Sequence, residues 1–121
     1  MALEDTLQVK SSPIEKHQGS FLLALEGDLD SSNAQDTIKY VQNMTEQQGL
    51  VNLVADFSRL RYINSTGLGA ILRISKLLLS KKGSFKIASP NENVFEVIEI
   101  VGANRLLSIY QTLDEAIDSL G

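Results

Sequence analysis

VNLVADFSRLRYINSTGLGAILRISK, running from Val51 to Lys76, is the stretch whose reading decides the fold. It starts as an apolar run, Leu50, Val51, Leu53 and Val54, of the length expected for a buried strand. Asp56 to Tyr62 then reads as a short connection. Asn64-Ser65-Thr66-Gly67 follows, and an apolar-periodic segment continues from Leu68 to Leu79. Strand, hydroxyl-rich corner, helix: this order sets Ser65 and Thr66 at or just before a helix N-terminus. Asn, Ser and Thr are the preferred N-caps, and nearly every helix needs one, so capping is the structural role for this corner. A chemical role follows from the same geometry. A helix N-terminus presents free N–H groups and partial positive charge, and so tolerates an anion such as a phosphate carried on a hydroxyl.

Outward from this stretch, strand and helix patterns alternate. Thr6 to Ile14 reads as a first strand, confined to an edge or an end by Pro13, which cannot donate to a ladder. Lys16-His17-Gln18-Gly19 turns the chain. Phe21 to Leu25 is a continuous apolar run, expected of a strand covered on both faces, and it ends at Glu26-Gly27-Asp28-Leu29-Asp30. A first helix is expected from the capping-box pair Ser32 and Gln35, with Ala34, Ile38, Val41 and Met44 inward and Gly49 as its stop. The helix after Ser65 sets Leu68, Ile71, Leu72, Ser75, Leu78 and Leu79 for burial and ends at Gly83. Phe85 to Ala88 is a short strand. Ser89-Pro90-Asn91-Glu92 combines a cap, a proline at the first helical position and a capping-box Glu. Val94, Val97, Ile98 and Val101 form that helix's stripe, closed by Gly102. Leu106 to Tyr110 is the last strand, and Thr112 with Glu115 opens a fourth helix with Leu113, Ala116, Ile117 and Leu120 inward.

The expected order is therefore β-β-α-β-α-β-α-β-α over one domain, residues 1–121. The fold class is α/β, a mostly parallel five-stranded sheet with an antiparallel edge strand and four helices packed on it. In such sheets sites form outside the carboxyl ends of the strands. Asp28 and Asp30 follow the second strand, and Asn64, Ser65 and Thr66 follow the third, so one rim is expected to carry all five, with Leu29 and Leu68 as apolar neighbours.

Composition narrows the function. At 121 residues and 43% hydrophobic, the chain has room for one core. It has no cysteine and one histidine, His17, which sits in a polar turn, so a metal site built on those ligands is not expected. Residues 1–10 show neither a basic nor an apolar leader region, and no apolar run approaches the roughly 20 residues needed to cross a bilayer. The expected location is cytoplasmic, without membrane insertion. The net charge of −4 argues against direct nucleic-acid binding. The charges are unevenly placed, however: Arg59, Arg61, Arg73, Lys76, Lys81, Lys82 and Lys86 fall between Phe57 and Asn91 with no Asp or Glu among them. Solvated faces and a helix C-terminus account for such a run; a basic flank meeting an acidic partner is the alternative.

Two motifs carry a resemblance. Asp56-Phe57-Ser58 … Tyr62-Ile63-Asn64-Ser65-Thr66-Gly67-Leu68-Gly69 resembles the signature of STAS domains. Within them it is most similar to the stand-alone anti-sigma factor antagonists, whose motif reads roughly D-x-S-x-x-x-x-x-D-S-[ST]-G-L-G. Gly27-Asp28-Leu29-Asp30 is similar to the family's G-E-L-D at the end of an early strand. The pattern's Asp before the acceptor hydroxyl is Asn64 here, which suits the same corner and cap but removes a carboxylate. The resemblance implies an antagonist that binds a kinase-type anti-sigma factor to release a sigma factor. It implies a switch by phosphorylation at Ser65, with Thr66 as second choice, and a phosphatase for reactivation. Asp28, Asp30, Asn64, Ser65, Thr66, Gly67 and Leu68 would form the partner surface. The chain itself needs no cofactor, because the nucleotide belongs to the kinase. A STAS scaffold subunit of a membrane-associated transport complex, not phosphorylated, is the alternative. An enzyme using Ser65 as nucleophile is not expected: the rim lacks a histidine-type base, and no Gly-x-x-x-x-Gly-Lys, Gly-x-Gly-x-x-Gly or Gly-x-Ser-x-Gly motif is present.

Overall fold

Backbone pairing shows how these alternating elements assemble. A computed structural model describes residues 6–120. The leader-free reading of residues 1–10 falls in part on residues 1–5, outside the described residues. In chain order the elements are β1 (Leu7–Pro13), β2 (Ser20–Leu29), α1 (Ala34–Gln47), β3 (Asn52–Ile63), α2 (Ser65–Ser80), β4 (Ser84–Ala88), α3 (Glu92–Ile100), β5 (Ser108–Tyr110) and α4 (Leu113–Asp118). A 3-10 turn, Ala103–Arg105, precedes β5. The strands form one sheet in the order β1-β2-β3-β4-β5. Among the described residues only the β1–β2 pair is antiparallel, because its turn is too short for a crossover. The expected order, sheet and antiparallel edge are the observed ones.

The strand ends differ from expectation. Asp56–Tyr62 is not a connection but the second half of β3, and β2 likewise continues through Glu26–Leu29. β4 stops pairing at Ala88 opposite Asp56, so beyond that point β3 projects as an arm paired with β2 alone, while β2 keeps β1 on its other edge as far as Gly27. Their register shifts between Ala24 and Glu26 and again between Gly27 and Asp28, with an extra β3 residue at each shift. Bulges of this kind break the two-residue alternation, which is why the arm does not read as strand. The other side of the arm is not left bare: the Asn91 side-chain amide donates to the Leu60 carbonyl at 3.1 Å.

Two helices start later than their sequence patterns predict, α1 by one residue and α3 by two. α1 is preceded by Asn33 rather than capped by Ser32, and Asn33 makes no side-chain cap. α3 is capped by Asn91, whose side-chain oxygen Oδ1 accepts the Val94 N–H, and not by Ser89 with Pro90 at the first helical position. Ser89 instead takes a left-handed φ of 60° and donates its hydroxyl to the Gln111 carbonyl. The Thr112–Glu115 capping box of α4 is present as expected.

The core lies mainly on one face of the sheet. Leu23, Leu25, Leu53, Ala55 and Ile87 meet Ile38, Val41 and Met44 of α1, Ile71, Ile74 and Leu78 of α2, and Val94 and Ile98 of α3. Val54 and Ala88, pointing the other way by strand alternation, pack with Ala116 of α4. Leu79, expected inward, is 62% exposed, whereas Ile74, outside the expected stripe, is core; Val101 is exposed as well. Leu106 precedes β5 and is exposed, while Leu107 is buried.

Candidate functional site

The rim is built where β2 and β3 end together. Leu29 pairs with Ile63, and the next N–H, that of Asn64, donates to the Leu29 carbonyl at 3.3 Å. Asn64 remains extended, with φ −106° and ψ −176°, and its side-chain oxygen accepts the Gly67 N–H at 2.8 Å. Its own carbonyl accepts the first helical bond, from Leu68 N–H at 2.9 Å. Asn64 is thus the N-cap, and Ser65 and Thr66 are the first two residues of α2. Both are exposed, and neither hydroxyl has a hydrogen-bond partner among the described residues. The first turn of α2 contains no acidic residue, so the positive end of this helix is uncompensated.

Gly67 and Leu68, expected on the partner surface, are buried, Leu68 to 3% exposure. The reason is close approach. A Cβ on Gly67 would overlap the Leu29 carbonyl oxygen, so the first turn of α2 rests directly on the end of β2. Leu68 continues into the core, as does Leu29, which is fully buried. Neither leucine is an apolar neighbour at the surface. That position is filled by Tyr62, 50% exposed and paired in register with Asp28. In sequence Tyr62 sits in the bulged half of β3, where lost alternation makes the strand read as a connection and hides the ring.

Asp28 and Asp30 do share the rim, but both carboxylates have partners. Arg61 forks onto Asp28, its Nε donating to Oδ1 and its Nη2 to Oδ2, each at 2.9 Å. The hydrogen bond from Arg61, with its charge in support and against a smaller desolvation cost, holds the Asp28 carboxyl below the usual carboxylate range. The same contact raises Arg61. Asp30 Oδ1 accepts the Ser32 N–H at 2.9 Å and the Ser32 hydroxyl at 2.6 Å, which fixes the turn into α1. Asn33 closes that turn. Its oxygen accepts the Asp30 N–H, and its amide donates to the Asp28 carbonyl and the Thr6 hydroxyl. Gly27, at φ +114°, lets β1 pass close by: a Cβ there would overlap the Thr6 carbonyl oxygen.

The role of Arg61 has one trace in the sequence. Glu26 and Asp28 alternate on β2 as Arg59 and Arg61 alternate on β3, and the first pair also meets, at 3.8 Å. Chemically the rim offers two free hydroxyls on a helix start, an aromatic ring and one neutralised acid. His17 lies in the turn before β2, at the other end of that strand. Among the described residues no group of three His, Cys, Asp or Glu side chains is placed to hold a metal ion. No helix among them is long and apolar enough to cross a membrane.

Comparison with known proteins matches this architecture. The family profile described as STAS domain matches residues 11–116. A Thermotoga neapolitana protein provisionally named an anti-sigma factor antagonist is 32% identical over 93 residues, which cover 77% of this chain and 82% of that one. The anti-sigma F factor antagonist of Paenibacillus polymyxa is 24% identical over 107 residues, 88% of this chain and 92% of that one. Among solved structures, the anti-sigma factor antagonist SpoIIAA in its unphosphorylated form superposes with a TM-score of 0.78 at 20% identity, covering 93% of this chain and 95% of that one. The phosphorylated form of Bacillus SpoIIAA gives 0.72 at 19% identity, covering 94% and 100%. These relatives are named for antagonising another protein, not for catalysing a reaction.

Proposed function

The chain belongs to the STAS domain family, and we propose that within it the protein is an anti-sigma factor antagonist switched at Ser65. Unmodified, it binds a kinase-type anti-sigma factor and so frees the sigma factor that partner would hold. The partner's own ATP then supplies the phosphoryl group. The Ser65 hydroxyl oxygen attacks the γ-phosphorus, the bond to the bridging oxygen breaks, ADP leaves and the serine proton is released. A phosphatase restores the hydroxyl by hydrolysis.

The observation that carries this reading is the exposed, unpartnered Ser65 hydroxyl on the first residue of α2, in a first turn without a carboxylate. A phosphate there meets the positive end of a helix and no neighbouring acid of that turn. The names of the relatives support the antagonist role, and the existence of SpoIIAA in both phosphorylated and unphosphorylated forms supports the switch. Asp28, Asp30, Asn64 and Thr66 surround the acceptor in this reading, with Tyr62 as the exposed apolar element.

Incubation with the partner kinase and radiolabelled ATP tests it. Label is expected on wild type and absent from Ser65→Ala, with Thr66 still in place. Label lost only in Thr66→Ala would move the acceptor by one residue. No label on any form, with a stable complex to a transport protein instead, would replace the switch by the scaffold role.

A further inference from the structure

We infer that the outward stripe of α2, continuing away from Ser65, is a cationic docking groove for an acidic segment of the anti-sigma partner. The inference rests on the antagonist reading and adds to it the chemistry of the partner's surface.

Helical geometry places Ser65, Gly69, Arg73, Lys76 and Ser80 within about 80° of one another around α2, over a length of about 22 Å. All five are exposed or half-buried. Toward the far end this stripe meets α1 at a cavity of about 260 Å³, lined by Ile38 and Gln42 from α1 and by Arg73, Lys76, Leu77 and Ser80 from α2. Its floor is apolar, since Ile38 is buried and Leu77 half-buried. Its walls carry two cations and no carboxylate. Neither Arg73 nor Lys76 has an ion-pair partner among the described residues, whereas Arg59 and Arg61 on the β2–β3 arm both do.

The sequence sharpens the point. The chain is acidic as a whole, yet the 35 residues from Phe57 to Asn91 contain seven cations and no Asp or Glu. Two unpaired cations over an apolar floor match an extended or helical segment that presents acidic side chains beside an apolar one. Because the groove begins on the same face as Ser65, one partner surface can cover both. Nucleic acid is the weaker occupant: two cations on a chain of net charge −4 give little of the counterion release that drives such binding.

The test measures the affinity of the full chain for the purified anti-sigma factor, at low and at physiological ionic strength. Arg73→Glu/Lys76→Glu is compared with Lys10→Glu/Lys16→Glu, which makes the same change of net charge at exposed positions on and beside β1. The α2 pair should weaken binding at least tenfold and flatten its salt dependence. Arg73→Gln/Lys76→Gln should weaken it less, and the β1 pair should leave it unchanged. Circular dichroism melts confirm that each variant folds. Equal affinity for wild type and Arg73→Glu/Lys76→Glu would overturn the groove and leave the antagonist reading standing. Equal loss in the β1 pair would also overturn it, by assigning the effect to bulk charge. A DNA duplex bound by wild type and released by the α2 variant would overturn it in favour of nucleic acid. A wild type without affinity for the anti-sigma factor would overturn both readings.

Discussion

Ser65 and Gly67 stand two residues apart on one helical turn and respond oppositely to added bulk. At Ser65 an added carboxylate meets free N–H groups and solvent, so Ser65→Asp should melt at or slightly above the wild-type temperature, with a gain of about 0.3–1 kcal/mol. At Gly67 the obstacle is the Leu29 backbone carbonyl, which cannot rotate aside as a side chain would. Gly67→Val should therefore lose about 1–3 kcal/mol, seen as a lower melting temperature with the same helical signal. An unchanged melt would mean that α2 does not rest on β2 as described. Asp28 gives a pH signature. Its carboxyl is lowered by Arg61, so the pair stabilises the fold above the ordinary carboxylate value of about 4 and loses that contribution as pH falls through the depressed folded value. Melting temperatures of wild type and Arg61→Ala should differ at neutral pH and converge in strong acid. A gap that persists there would assign Arg61 a packing role instead.

Among the elements, helix starts separate what the sequence reveals from what it conceals. α4 was legible to the residue, because Thr112 and Glu115 satisfy each other locally: the hydroxyl accepts Glu115 N–H at 3.1 Å and Glu115 accepts Thr112 N–H at 3.3 Å. Thr112→Ala should cost about 1 kcal/mol and leave the α4-side core cluster less protected, which hydrogen exchange at Val54 and Ala88 reads directly. α1 and α3 were displaced because Ser32 and Ser89 serve other elements, Ser32 donating to Asp30 and Ser89 to Gln111. Local patterns cannot separate a serine that caps from one that ties a loop across the molecule. β3 shows the same limit. Its first half is an apolar run and reads as strand, whereas its second half is bulged and alternates with no fixed period.

For the whole molecule, alternation of strand and helix was enough to give the succession of elements and a mostly parallel sheet with an antiparallel edge; the strand order within the sheet comes from the backbone pairing. It also placed Asp28 and Ser65 on one rim, a consequence of parallel strands ending side by side. What it could not give was the state of that rim. Asp28 looks like a free acid in sequence and is neutralised by Arg61 across a bulged pair; Leu68, which the sequence offers both to the core and to the partner surface, belongs to the core. The switch consequently depends less on repulsion between phosphate and Asp28 than on the desolvation of the phosphate at a docked surface.

Titration calorimetry with the purified anti-sigma factor tests that central claim most directly. Wild type and Ser65→Ala should bind alike, while Ser65→Asp, folded as wild type, should bind at least about tenfold more weakly, a difference of 1.4 kcal/mol. Equal affinity for wild type and Ser65→Asp, with Ser65→Glu in agreement, would contradict the account and leave Ser65 as only the first residue of a helix.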